Sequence, residues 1–206
     1  MSTANDEFPP ILQICREFVT PGREAEFRVI EEDAARLCVE MNCPNAHLAM
    51  ESLTGPPEIW WITPYESEAD RARVAKGYAD NPALLAALGG IAMRKQGVTA
   101  APLDLVAHLN PAVSSGPRWT FAGTRLFVAM AGPGCPAPPA TVYESPDGGR
   151  LILRRVKDAD EGAALARAWG SEARLFAVRP YWGMPASGWI AADREFWHVN
   201  PAARRR

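Results

Sequence analysis

The most strongly patterned stretch of this chain is His47-Leu-Ala-Met-Glu-Ser-Leu-Thr-Gly-Pro-Pro-Glu-Ile-Trp-Trp-Ile-Thr63. Apolar and aromatic residues typical of strands fill both of its ends, and Thr54-Gly-Pro-Pro57 between them is rich in turn formers. The pattern predicts a β-hairpin with strands over residues 47–53 and 58–63. Pro64 is predicted to end the second strand, because proline has no backbone N–H to donate.

The segments on either side of this hairpin make it the middle of a larger unit. Upstream, a predicted strand over residues 11–18 precedes a helix over about 23–41, in which apolar residues recur every three or four positions. Glu31 and Glu32 are predicted to fall on the opposite, solvent-facing side of this helix. Downstream, Ser67 is the predicted N-cap of a second helix, which breaks and restarts at Asp80-Asn-Pro82. A fourth strand covers residues 103–109. Strand, helix, strand, strand, helix, strand is the order of a ferredoxin-like module.

The second half of the chain repeats this order in part. After a turn-rich linker at residues 110–117, strands are predicted over 124–131, 140–144, 150–156, 175–181 and 189–198, with a helix capped by Asp158 before the fourth of them. Residues 132–139 are rich in glycine and proline and replace the first helix. The predicted fold is therefore α+β, with tandem ferredoxin-like modules at 10–112 and 118–200, the second one truncated.

Composition limits the partners and the compartment. The chain has 206 residues, of which 48% are hydrophobic and 22% charged, as in ordinary soluble proteins. A net charge of −2 gives no general attraction to nucleic acid or to a membrane surface, so neither partner is predicted. The N-terminus is polar and acidic, and no apolar run reaches the roughly 18 residues that span a bilayer. Four cysteines without CxxC spacing fit a reducing cytoplasm.

Three segments of the first half resemble the antibiotic biosynthesis monooxygenase family of the dimeric α/β-barrel superfamily. They are Arg16-Glu-Phe-Val-Thr-Pro-Gly-Arg-Glu24, Leu48-Ala-Met-Glu-Ser-Leu-Thr-Gly-Pro56 and Trp60-Trp-Ile-Thr-Pro-Tyr-Glu-Ser67. The resemblance implies a barrel made from two ferredoxin-like sheets, so that we expect an internal pseudo-dimer or a homodimer. It also implies a ligand cavity between sheet and helices. Some relatives oxidise polyaromatic phenols with dioxygen and no cofactor, others degrade haem, and many have no assigned activity.

The haem-degrading branch of this family is not supported by the sequence. Its members use an asparagine on strand one, a tryptophan on strand three and a histidine on the second helix as haem ligand. Trp60 or Trp61 could supply the tryptophan, but residues 11–18 contain no asparagine and residues 67–96 contain no histidine. We therefore expect no haem and no other cofactor. A metal site is not expected either, because the chain has only three histidines.

Strand alternation sorts the candidate site residues by face. Trp60 and Trp61 must point to opposite faces of their strand. We expect the more uniformly apolar face of the sheet to pack on the helices, and the mixed face to meet a ligand. The mixed face carries Gln13, His47, Glu51, His108 and one of the two tryptophans, for which Trp61 is taken as the candidate.

These residues suggest two kinds of function. In the first, His47, Glu51 and His108 are catalytic, since histidine titrates near neutral pH and a carboxylate can orient it. Gln13, Trp61 and Tyr65 would then bind the substrate of a monooxygenase-like enzyme that acts on an aromatic or quinone-like small molecule. In the second, the protein is a non-catalytic small-molecule-binding or oligomer-forming barrel, and the histidines belong to the hydrogen-bonded scaffold.

Overall fold

The computed structural model describes residues 8–100, 103–115, 121–133, 135 and 139–197. Within these ranges the strands are β1 (Ile11–Phe18), β2 (Leu48–Ser52), β3 (Glu58–Tyr65), β4 (Leu103–Leu109), β5 (Leu126–Pro133), β6 (Thr141–Glu144), β7 (Gly149–Val156) and β8 (Arg174–Val178). The helices are α1 (Glu24–Glu40), α2 (Glu68–Ala79), α3 (Pro82–Arg94), α4 (Ala159–Trp169), α5 (Ser187–Ala192) and α6 (Arg194–Trp197).

The eight described strands close into one barrel in the order β1-β3-β2-β8-β5-β7-β6-β4, and β4 pairs again with β1. Every one of these pairings is antiparallel. Strands β1 to β4 form one continuous half of the barrel and β5 to β8 form the other, with seams at β2–β8 and β4–β6. One chain therefore supplies the whole barrel. Closure also removes the free sheet edges that would otherwise invite pairing with other chains.

The central hairpin forms as predicted, with one difference at its end. Leu48 lies opposite Ile62, and Gly55 takes a positive φ of +75° in the turn, where a side chain would strain the backbone. The prediction that Pro64 ends the strand is wrong, because β3 continues to Tyr65. β2 no longer pairs beyond Ile62, so β3 has only β1 as a neighbour there, and a residue without an N–H is tolerated at such an edge.

The predicted helix caps are confirmed. Ser67 and Asn81 cap α2 and α3, and their side-chain oxygens accept hydrogen bonds from the backbone N–H groups of Asp70 and Leu84 at 3.1 Å each. Asp158 caps α4 in the same way. The break between α2 and α3 therefore comes from local capping chemistry. Across the described ranges, no helix combines the length and the apolar character that crossing a bilayer requires.

The expected assignment of the sheet faces is wrong. The uniformly apolar face points into the barrel, where its fully buried residues meet those of the second half. These inward residues of the first half are Leu12, Ile14, Leu48, Met50, Trp60 and Ile62. The mixed face lies on the outside, beneath α1, α2 and α3. Two sheets that close on each other enclose their interior completely, so the interior takes the apolar set.

The C-terminal segment is helical where a strand over 189–198 was predicted. Residues up to Trp197 form α5 and α6, and His198 lies outside the described residues. β8 already pairs with both β2 and β5, so the closed barrel offers no edge to a further strand. The aromatic residues pack instead: Trp189 stacks on Trp197 at 5.9 Å between ring centroids, and Trp197 is buried against the barrel core.

Candidate functional site: a cavity between the barrel and three helices

A cavity of about 400 Å³ lies between the outer face of the first half of the barrel and helices α1, α2 and α3. This is where the resemblance led us to expect one. Its apolar wall contains Trp61, Trp182, Leu88 and Ile91, and its polar lining includes Glu17, Glu31, Asn45, His47, Tyr78 and Lys95. The volume is in the usual range for sites that hold small organic molecules.

Two of the residues predicted for the site line this cavity, namely His47 and Trp61. Their rings meet edge to face with centroids 5.6 Å apart. His47 is held in place by its backbone, which exchanges hydrogen bonds of 2.9 and 3.0 Å with Met184. Trp61 lies on β3 opposite Cys15 of β1, which also lines the cavity.

Gln13 and Tyr65, predicted to bind substrate, lie outside the cavity lining. The Tyr65 hydroxyl donates a hydrogen bond of 3.0 Å to Gln13 Oε1. Tyr65 packs with Val74 of α2 in a separate apolar cluster. Tyr65 therefore helps to pack α2 against the sheet.

The predicted set of His47, Glu51 and His108 is not assembled. Glu51 forms ion pairs with Arg28 and Arg179 instead, the first of them at 3.2 Å. The His108 side chain is half-exposed on β4, where its Nε2 lies 3.4 Å from a carboxylate oxygen of Glu68. Of the three, only His47 lines the cavity.

The charged groups of the cavity are Glu17, Glu31 and Lys95. Lys95 Nζ donates hydrogen bonds of 3.1 and 2.8 Å to the two carboxylate oxygens of Glu17, and it also forms an ion pair with Glu31. Trp61 Nε1 donates a further hydrogen bond of 2.8 Å to Glu17. Lys95 follows the last residue of α3, where the carbonyl ends of the helix favour a cation.

Burial changes the titration of Glu31 and Lys95. Loss of hydration raises the pKa of Glu31 from 4.5 to about 7, against the opposing pull of Lys95. Burial lowers the pKa of Lys95, but the carboxylates of Glu31 and Glu17 outweigh it, and that pKa is raised. Lys95 is therefore charged at neutral pH, whereas Glu31 can take up or release a proton there.

His47 is too weak a base for the role predicted for it. Burial lowers the pKa of its imidazole from 6.5 to about 4, with a smaller upward contribution from a hydrogen bond to the backbone of Trp182. His47 is therefore neutral at pH 7 and suited to hydrogen bonding. Glu31, with a pKa of about 7, is the better proton acceptor in the cavity.

A second set of polar side chains, joined by hydrogen bonds, also lines the cavity. The Tyr78 hydroxyl of α2 donates a hydrogen bond of 2.6 Å to Asn45 Oδ1, and Asn45 Nδ2 donates one of 3.3 Å to Thr63 Oγ1 on β3. All three residues line the cavity. These two hydrogen bonds connect α2 to β3 through Asn45, so the three side chains form a fixed polar wall of the cavity.

Trp182 closes the cavity on the side of the second half. It packs edge to face on Phe27 of α1, with ring centroids 5.9 Å apart. The next residue must be glycine, because a Cβ on Gly183 would lie 2.9 Å from the backbone oxygen of His47. Trp182 is only 1% exposed, and its Nε1 has no hydrogen-bond partner among the described residues. A bound molecule with an acceptor atom would satisfy this N–H.

Four of these groups were not identified from the sequence: Glu17, Glu31, Lys95 and Trp182. Glu31 was placed on the solvent face of α1, but it is 3% exposed and lies four residues after the buried Phe27. Glu17 alternates with Gln13 and Cys15 on the mixed face of β1. Both spacings were visible in the sequence. Within the described ranges, no group of histidine, cysteine, aspartate and glutamate side chains could hold a metal ion.

The free energy of unfolding should depend on pH in opposite senses through Glu31 and His47. Between pH 4.5 and 7 the folded state holds the Glu31 proton that the unfolded chain has lost, so Glu31 lowers stability as pH rises. Between pH 4 and 6.5 the unfolded chain holds more protons on His47, so His47 raises stability. Each full unit of pKa shift corresponds to about 1.4 kcal/mol.

Urea unfolding of the wild type, Glu31→Gln and His47→Gln at half-unit pH steps measures these two contributions. The stability of Glu31→Gln minus that of the wild type should increase from pH 4.5 to 7. The corresponding difference for His47→Gln should decrease from pH 4 to 6.5. Glu32→Gln, on the exposed side of α1, is the control and should give a flat difference. Flat differences for all three variants would contradict the burial of these groups.

No protein-family model matches the sequence, and no curated protein matches it. One similar solved structure is a "putative monooxygenase" from Lactobacillus acidophilus NCFM, with a TM-score of 0.46 and 7% identity over 82% of this chain and 94% of that chain. Another is a "putative chlorite dismutase", with a TM-score of 0.44 and 8% identity over 84% and 96% of the two chains. Neither match assigns an activity to this chain, so the site is interpreted from its own residues.

Proposed function

We propose that this protein binds an aromatic small molecule bearing a carbonyl or hydroxyl group in the cavity between the barrel and α1–α3. The observation that carries the proposal is a cavity of about 400 Å³ whose lining includes Trp182, a residue whose buried Nε1 has no hydrogen-bond partner among the described residues. Trp61 offers a flat apolar surface for an aromatic ring, and the N–H of Trp182 offers a hydrogen bond to an oxygen of the ligand. His47 and Tyr78 add two further rings to the lining of this space.

A ligand-observed NMR titration tests this proposal. We use 2-naphthol and the aryl ketone 1-tetralone as probes, against the wild type, His47→Ala and His108→Ala. Both probes should bind the wild type, and His47→Ala should weaken binding at least about 5-fold, because His47 lines the cavity. His108 is half-exposed outside the lining, so His108→Ala is the matched control and should bind normally. Equal weakening by both variants, or no binding to the folded wild type, would refute the proposal.

An oxygenation without cofactor is the reaction that fits the cavity if the protein is an enzyme. The observation that favours it is Glu31, a buried carboxyl whose pKa of about 7 suits removal of a hydroxyl proton. A bound phenol would lose that proton, and the electron-rich ring would react with dioxygen. One oxygen atom would enter the ring as the second carbonyl of a quinone. The other would leave as water with the hydroxyl proton and the displaced ring hydrogen.

Dioxygen consumption with 2-naphthol separates this reaction from binding alone. The wild type should consume dioxygen, Glu31→Gln should lose most of the rate while still binding the phenol, and Glu32→Gln should behave as the wild type. Binding without consumption would leave the non-catalytic function as the better account. No homodimer is needed for either activity, because the cavity is built within one chain.

The architecture is interpreted as two ferredoxin-like modules at 10–112 and 118–200, which form an internal pseudo-dimer. Two observations support this. The first four strands lie in the order β4-β1-β3-β2, and the last four in the corresponding order β8-β5-β7-β6. In the described part of residues 132–140 no helix joins β5 to β6, as expected for a truncated second module. Most of the cavity lining would then belong to the complete module, and Trp182 would come from the truncated one.

A further inference from the structure

Two cysteines flank the C-terminal end of α1, and the proposed function uses neither of them. Cys38 lies in the last turn of the helix, is 8% exposed and lines the cavity. Cys43 follows five residues later and is half-buried, so solvent reaches it more easily. Both are free thiols.

The chain leaves α1 through a tight turn that brings these two cysteines back together. The backbone N–H of Cys43 donates a hydrogen bond of 2.9 Å to the carbonyl of Cys38, and that of Asn42 donates one of 3.3 Å to Val39. Asn42 has a φ of +53°, in the left-handed region that asparagine tolerates better than most residues. This is the bond pattern of a Schellman motif, in which the side chains on the two sides of the turn commonly touch. Here both of those side chains are thiols.

A hydrogen bond joins the two thiols. It is the largest cause that raises the pKa of Cys38, and burial adds to it. The same bond lowers the pKa of Cys43 in spite of burial, and a contact with the Tyr78 hydroxyl acts in the same direction. Cys43 therefore loses its proton first, and the Cys38 thiol donates to the resulting thiolate. Because the thiolate is the reactive form of cysteine, Cys43 is the nucleophile of the pair.

Contacts with α2 hold the turn in place. Pro44 packs on Gly77 of α2 so closely that a Cβ on Gly77 would lie 2.8 Å from the Pro44 ring. Asn45 accepts the hydrogen bond from Tyr78 described above. A disulfide needs two residues whose Cβ atoms face each other across a short distance. The anchored turn supplies that arrangement on a fixed part of the backbone.

We propose that Cys38 and Cys43 form a reversible disulfide when a hydroperoxide oxidises Cys43. The Cys43 thiolate attacks one peroxide oxygen, the O–O bond breaks, and the other oxygen takes up a proton and leaves as water or an alcohol. Cys43 is then a sulfenic acid. The Cys38 sulfur displaces its hydroxyl group, which leaves as water with the Cys38 proton as the S–S bond forms. The two thiols thereby give two electrons to the peroxide.

The other two described cysteines are less suited to this reaction. Burial raises the pKa of the Cys15 thiol to about 12, and the carboxylate of Asp104 beside it adds to the effect. Burial also raises the pKa of Cys135. Both thiols stay protonated at neutral pH, so we expect peroxide to react first at Cys43. The inference does not depend on which ligand the cavity binds.

Peptide mapping after peroxide treatment tests this inference. The reduced protein is treated with hydrogen peroxide at pH 7, free thiols are blocked with iodoacetamide, and the chain is cut with trypsin and a glutamate-specific protease. Cleavage after Arg36, Glu40 and Glu51 places the two cysteines on separate peptides, 37–40 and 41–51. These peptides should be recovered as one linked species that dithiothreitol separates. Recovery of both as blocked thiols, while glutathione in the same sample is oxidised, would overturn the inference.

Variants and unfolding assign the reaction to the folded pair. In Cys38→Ala, Cys43 should accumulate as a sulfenic acid that dimedone traps, because no second thiol reacts with it. Cys135→Ala is the control and should form the disulfide at the wild-type rate. In urea, where the turn and the lowered pKa are lost, the disulfide should form at least about 10-fold more slowly. An equal rate in urea, or a disulfide from Cys43 to a different cysteine, would overturn the inference.

Discussion

Replacing Lys95 with methionine should lower the free energy of unfolding at pH 7 by about 3–5 kcal/mol. The side chain of Lys95 is 17% exposed, and it is the only cation in the described lining that contacts Glu17 and Glu31. Removing it leaves two buried carboxyl groups without a counter-charge, and a buried unpaired charge costs more than the pair contributes. The loss should shrink as the pH falls, because Glu31 then binds a proton.

Urea unfolding measures this effect against two controls. Lys76→Met removes a lysine whose side chain is 73% exposed and paired with Asp80, and it should cost less than about 1 kcal/mol. The triple variant Glu17→Gln, Glu31→Gln, Lys95→Met removes the charges together and should recover most of the lost stability. A loss in Lys95→Met no larger than that in Lys76→Met would mean that water reaches the cluster in solution.

The second large effect is a loss of stability on replacing Trp60, which contrasts with a loss of ligand affinity on replacing its neighbour Trp61. Trp60→Ala should cost about 3–5 kcal/mol, because Trp60 is 1% exposed inside the barrel and packs on Phe176 at 4.7 Å between ring centroids. Its Nε1 donates a hydrogen bond of 2.6 Å to the buried Glu58, which would lose a donor. Ligand affinity should change little under conditions where this variant is folded, since Trp60 is absent from the cavity lining.

Trp61→Ala should show the reverse pattern. Trp61 is only half-buried, so its removal should cost less stability than that of Trp60. It removes a wall of the cavity, and the affinity for 2-naphthol should fall at least about 10-fold. Unfolding in urea and the NMR titration measure the two effects on the same samples. A loss of ligand affinity in Trp60→Ala with normal binding in Trp61→Ala would place the ligand inside the barrel and contradict the proposed site.

Local patterns in the sequence predicted the hairpin and the helix caps, because interactions between residues close together in the sequence determine both. The hairpin around Gly55 and the caps Ser67, Asn81 and Asp158 depend on residues within a few positions of each other. Two of the three failures depend on distant contacts. The direction of the sheet faces and the helical C-terminus both follow from the closure of the barrel, which joins β2 to β8 and β4 to β6.

The candidate site was harder to predict than the fold. Trp61 and His47 were identified because strand alternation placed them on the mixed face, and that face does line the cavity. Glu31 was assigned to solvent because glutamate is seldom buried, although it falls on the same helix face as Phe27 and Cys38. Lys95 follows the last residue of α3 and is 78 residues away in sequence from its partner Glu17, and no spacing rule relates the two.

Heteronuclear NMR of protein labelled with ¹⁵N at the tryptophan indoles locates the ligand most directly. The resonances are assigned with single Trp→Phe variants, and 1-naphthylmethanol is added to the wild type. We expect the Nε1–H signals of Trp182 and Trp61 to shift, the former downfield as it gains an acceptor, while that of Trp60 stays in place because it remains bonded to Glu58. A shift of Trp60 with Trp182 and Trp61 unchanged would contradict a ligand site between the barrel and α1–α3.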